Sequence, residues 1–131
     1  MSNQKYVKLE MSGHVGVVTF SNPPHNFISL QALEEFQWTF KKLDDDNHCR
    51  AIVLAAEGKV FCAGADFSTD QAEGIDPNQV LSNFYSVAMT LFEIKKPMSP
   101  HALGLSEDTR ALGFLFRGIK LVSLKVDPAV L

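Results

Sequence analysis

The sequence predicts an α/β domain with a partly parallel sheet. Three runs carry that expectation. Val15-Gly16-Val17-Val18-Thr19-Phe20 is β-branched and apolar, as strands are. Leu30, Leu33, Phe36, Phe40 and Leu43 recur at helical spacing. Ala51-Ile52-Val53-Leu54-Ala55-Ala56 is a short, continuous apolar run, which fits a strand buried on both faces. Strand, helix and strand in that order make a βαβ crossover.

The remaining elements follow along the chain. Residues 6–11 alternate loosely and predict a first strand. Ser12-Gly13 is a turn signal, so this strand and the run at 15–20 form a hairpin. Pro23-Pro24 stops the sheet, because proline lacks the N–H that a ladder needs. Ser29 is placed to cap the helix, which is expected over 30–45. Asp44-Asp45-Asp46-Asn47 is a solvated, turn-forming end. It lacks the spaced ligands and central glycine of a calcium loop. Trp38 lies on the exposed-looking side of this helix, where it could mark a contact surface, but a partly buried core position is the expectation. The polar stretch 69–78 predicts a loop with ragged helical turns. Val80, Phe84, Val87, Leu91 and Ile94 mark a second amphipathic helix that ends before Pro97. Residues 97–100 predict a break. Beyond it, 106–116 has the look of a helix and 119–126 of a strand.

Bulk properties narrow the function classes. The chain has 131 residues, enough for one domain. Hydrophobic residues make up 46% and charged residues 21%, a globular balance. The net charge of -3 and the lack of a basic cluster argue against a nucleic-acid partner. Lys41-Lys42 and Lys95-Lys96 are expected to be solvated pairs. No apolar run approaches the roughly 20 residues of a membrane span, and no signal-peptide core follows Met1. Cys49 and Cys62 are too few for a disulfide framework. A cytoplasmic location with reduced thiols is the simplest expectation. His14, His25, His48 and His101 are dispersed, so no metal site is expected.

The chemistry-bearing stretch is Phe61-Cys62-Ala63-Gly64-Ala65-Asp66-Phe67. Three residues with almost no side chain follow a predicted strand. Such a bend lets a ligand approach the backbone. Its N–H groups can stabilise a developing oxyanion. A plain tight turn explains the same small residues.

In combination, several stretches resemble the N-terminal half of the enoyl-CoA hydratase/isomerase (crotonase) family. They are the 61–67 run, Asn22-Pro23-Pro24-His25-Asn26-Phe27-Ile28, the strand from Arg50 to Gly58, Asp44 to Asp46, Phe84, and Lys95-Lys96-Pro97. The resemblance spans about residues 5–98. It implies a crotonase-like ββα repeat fold, here incomplete, with residues 1–98 as the N-terminal part and 99–131 as a divergent tail. It implies an acyl-CoA thioester as partner, a lyase or isomerase reaction in fatty acid metabolism, and coenzyme A only as part of the substrate. The backbone N–H of Ala65 matches the first oxyanion donor. Backbone carbonyls around Ala63, Ala65 and Phe67 match those that hold the adenine. His25, Asn26 and Phe27 match the segment beside the nucleotide and pantetheine. Gly64 and Asp66 belong to the same substrate-facing stretch. Ser68 stands where relatives often carry a basic residue near the phosphates. A homo-oligomer is the assembly such relatives form.

The pattern departs from the family after Met98. Ser99-Pro100-His101-Ala102-Leu103-Gly104-Leu105 has one glycine where the family has a glycine-rich turn with the second donor. Glu107 is the only glutamate beyond residue 98, and its surroundings do not match the family's catalytic glutamates. Glu107 and Asp108 fit the first turn of a helix. Two functions therefore compete. One is an enzyme that stabilises a thioester enolate. The other is a non-catalytic acyl-CoA-binding or interaction module.

Overall fold

A computed structural model describes residues 3–68 and 74–102. The expected helix at 106–116, the strand at 119–126, and Gly104, Glu107 and Asp108 lie outside the described residues. So does part of the polar stretch after Ser68.

Among the described residues, four strands form the main sheet, in the order β1 (Val7–Ser12), β2 (Val15–Phe20), β4 (Ala51–Ala56) and β6 (Met98–Ala102). β1 (Val7–Ser12) and β2 (Val15–Phe20) are the expected hairpin, antiparallel, with Val7 opposite Phe20. Gly13 takes a φ of 58° in the turn, where a Cβ would be disfavoured. β4 (Ala51–Ala56) runs parallel to β2, with Val15 opposite Ala51. The crossover between them holds α1 (Leu30–Asp45), whose bounds match the sequence expectation. Ser29 caps it, its hydroxyl accepting from Ala32 N–H at 3.2 Å.

The core lies between α1 and the sheet. Leu33, Phe36, Phe40 and Leu43 of α1 pack on Val18, Phe20, Ile52 and Leu54. Phe36 sits between two rings, 5.5 Å from Phe20 and 5.6 Å from Phe40. Burying such side chains is worth about 1.5–3 kcal/mol each. Glu35, on the same helix, is 0% exposed. Its two carboxylate oxygens accept from the backbone N–H groups of Lys5 and Tyr6. This tie holds the chain entering β1 against α1.

α2 (Pro77–Thr90) and a short 3-10 turn (Leu91–Glu93) make up the second amphipathic segment. Asp76 caps α2, its Oδ1 accepting from Asn78 N–H at 2.9 Å. Val80 and Phe84 are its buried residues. Gln37 Nε2 donates to Thr90 Oγ1 at 2.8 Å and links α1 to α2.

Three sequence expectations change. The break at 97–100 is instead β6 (Met98–Ala102), parallel to β4. Ile52 pairs with Met98 and donates its N–H to the Pro97 carbonyl at 2.9 Å. Ladder bonds alternate along a parallel strand, so Pro100, opposite Leu54, turns its nitrogen away from β4. The missing N–H therefore costs no bond to β4. Trp38 is 37% exposed rather than part of the core, with Lys42 Nζ 5.2 Å from its ring centroid. Lys96 is no solvated lysine. Its ammonium donates to the carbonyls of Leu43 and Asp46 and closes the C-terminal end of α1. Among the described residues, no helix is long and apolar enough to cross a membrane.

Candidate functional site

The chain after β4 must turn sharply to reach the small-residue stretch. Gly58 makes that turn with a φ of 88°. Glu57 N–H donates to the Phe20 carbonyl at 2.9 Å, so the turn begins at the end of β2. Phe61 and Cys62 then enter the core. Gly64–Ala65 form β5, a two-residue strand parallel to β3 (Phe27–Ile28). The two family-like stretches, 22–28 and 61–67, thus lie side by side.

The register of this ribbon decides where its polar backbone groups point. Phe27 pairs with Gly64, and Ile28 with Ala65. Asp66 N–H donates to the Ile28 carbonyl at 2.8 Å. Residues 64 and 66 therefore engage β3. By the alternation of a parallel ladder, Ala65 turns its N–H and C=O to the other side. Ala65 is half-buried there, next to exposed Ala63. Gly64 has a φ of 141°, a backbone conformation that side chains disfavour.

The other expected site residues gather around this ribbon in distinct ways. His25 is exposed, and its ring meets Phe27 edge-on with centroids 6.1 Å apart. Phe27 is 41% exposed. Phe67 is half-buried and packs edge-on against Phe84 at 5.0 Å, which ties the ribbon to α2. Ser68 is exposed and donates its N–H to Asp66 Oδ1 at 2.9 Å. Hydrogen bonds from the Ser68 side chain, and then from its backbone, hold the Asp66 carboxyl below the usual carboxylate range. Burial pushes the Cys62 thiol up, outweighing hydrogen bonds with Gly64 and Ile28.

Asn26 stands apart from its neighbours. It is 2% exposed and has a φ of 55°. Its side chain is fully committed to the protein backbone. Nδ2 donates to the Glu57 and Val60 carbonyls, each at 2.6 Å. Oδ1 accepts from Asn22 N–H at 2.8 Å. Its side chain therefore meets the protein rather than the open face of the ribbon. The sequence signal for this was slight: an asparagine inside a loop, where its type tolerates a left-handed backbone.

The family described as enoyl-CoA hydratase/isomerase matches residues 10–106, most of the chain. The chain belongs to the enoyl-CoA hydratase/isomerase family. It is 39% identical over 67 residues to the mitochondrial enoyl-CoA delta isomerase 1 of Rattus norvegicus, covering 49% of this chain and 23% of that one. It is 37% identical over 60 residues to a probable enoyl-CoA hydratase of Bacillus subtilis, covering 46% and 23%. A solved enoyl-CoA hydratase/isomerase (crotonase) of Legionella pneumophila superposes with a TM-score of 0.62 at 26% identity, over 75% of this chain and 40% of that one. The fold is therefore crotonase-like and partial. The matches span well under half of these enoyl-CoA hydratase/isomerase relatives.

Proposed function

We propose that this chain binds an acyl-CoA thioester along the β3–β5 ribbon and stabilises its enolate through the Ala65 N–H. One observation carries the reading: the ladder register turns that N–H away from β3. Removing a proton beside a thioester carbonyl moves its electron pair onto the carbonyl oxygen. Adding hydroxide at the β-carbon of a 2-enoyl thioester does the same. A fixed N–H aimed at that oxygen lowers the energy of either step. Ala63, Ala65 and Phe67 carbonyls would receive the adenine amine. His25 and exposed Phe27 would flank the nucleotide and pantetheine. Gly64 would let the thioester approach, and Asp66 and Ser68 would border it. Coenzyme A enters as part of the substrate, and no separate cofactor is invoked. The free, buried thiols of Cys49 and Cys62 suit a reducing compartment such as the cytoplasm.

The departures from the family after Met98 favour a second reading, a module that binds acyl-CoA without turnover. Its support is that the 99–105 stretch carries one glycine, Gly104, and that no family-like glutamate follows. Calorimetry with crotonyl-CoA and a hydratase assay separate the two. Binding with turnover supports the enzyme. Binding without turnover supports the module. No heat of binding at millimolar ligand removes both.

A further inference from the structure

We infer that Asn26 is the positioning residue that sets where the Ala65 N–H lies, an inference that rests on the reading of Ala65 as a donor. Besides the β3–β5 pairing itself, four backbone groups of the chain from 57 to 66 are held against the segment 25–28. Two are the Glu57 and Val60 carbonyls, which meet both protons of the Asn26 amide. The others are the Ala63 N–H, which donates to the His25 carbonyl at 3.1 Å, and the Asp66 N–H, which donates to the Ile28 carbonyl. Two points thus hang on one side chain, and both precede the short β5. A two-residue strand pair is too short to fix its own register. The turn that feeds it must therefore arrive in place.

Asparagine suits this position for three separate reasons. It tolerates the φ of 55°. Its amide offers two donors in one plane, which meet two carbonyls three residues apart in sequence. Its oxygen is left to accept from Asn22 N–H and close the loop on itself. At 2% exposure no water competes for these bonds. Aspartate has the same shape but no amide protons. It would set a carboxylate oxygen against the two carbonyls and release the 57–60 turn.

The test compares crotonyl-CoA with S-butyl-CoA, a thioether that lacks the carbonyl oxygen, by calorimetry on the full chain. Wild type is expected to favour the thioester by about tenfold, the weight of one good hydrogen bond. Wild type without that preference overturns the reading of Ala65 itself. Given the preference, Asn26→Asp is expected to lose it, the ratio of the two affinities falling from about tenfold to about one. A general loss of structure would weaken both ligands alike. Retention of the preference in Asn26→Asp overturns the inference. Hydrogen exchange on wild type provides a check that needs no variant. The Asn26 amide protons should exchange together with the Ala63 and Asp66 N–H groups, through one opening event. Free exchange of the Asn26 amide beside a protected Asp66 N–H also overturns it.

Discussion

Gly16 on β2 faces Leu43 on α1 so closely that a Cβ at position 16 would stand 2.9 Å from both Leu43 methyl carbons. Leu43 is fully buried, so it has little room to retreat. Gly16→Ala is therefore expected to destabilise the fold by about 1–3 kcal/mol, the usual cost of overpacking. Urea unfolding followed by circular dichroism reads this directly. Leu43→Ala alone leaves a cavity, but in the Gly16→Ala background it also relieves the clash. The double variant should thus be more stable than the two separate losses predict. Strict additivity would show that the two residues do not press on each other.

Glu35 makes a second testable point. Both of its oxygens are spent on Lys5 and Tyr6 N–H groups, with no solvent exposure. Glu35→Gln keeps the size but sets an amide NH2 against one of those donors. A buried polar group left unpaired costs about 1–3 kcal/mol. The urea midpoint should fall accordingly, and the Tyr6 amide should exchange faster. An unchanged midpoint would mean that the N-terminal segment contributes nothing to the fold.

Local patterns carried most of the legible structure. Leu30 to Leu43 repeat at helical spacing and Ser29 caps them, so α1 could be bounded from sequence. The run 51–56 is apolar and short, so β4 was equally plain. Strand β6 was hidden because Pro97 and Pro100 are read as breakers. Only the register shows that Pro100 turns its nitrogen away from β4. The roles of Asn26, Glu35 and Lys96 depend on partners about 30 to 50 residues away. No spacing rule reaches that far. The 61–67 bend was legible as a place, but the direction of the Ala65 N–H follows from pairing with β3, which the sequence does not state.

Ser29 offers a cleaner local test. Its hydroxyl accepts from Ala32 N–H, and its φ and ψ of -96° and 168° are extended, as an N-cap requires. Ser29→Ala removes the acceptor and leaves that N–H unpaired at the start of α1. The expected loss is about 1 kcal/mol. Ser29→Asp should restore most of it, since a carboxylate caps well and also suits the helix dipole. Thermal melts of the three proteins decide the matter. Equal stability of Ser29→Ala and wild type would remove the cap from the account.

Cys62 predicts a pH dependence of known sign. Burial holds the thiol above its ordinary pKa, so the folded state keeps a proton that the unfolded chain releases first. Folding then binds more protons than unfolding in the alkaline range, and stability falls as pH rises. The contribution is fully present below the ordinary thiol pKa of about 8.5. It is lost as pH rises from there through the folded-state value. Urea midpoints of wild type should therefore drop more steeply above about pH 8.5 than those of Cys62→Ala, which has no thiol to ionise there. The same burial predicts slow alkylation of Cys62 in the native protein and fast alkylation in urea. Parallel midpoint curves for the two proteins, or rapid native labelling at Cys62, would show that the thiol reaches solvent. It would then no longer anchor the start of the 61–67 bend from inside the core.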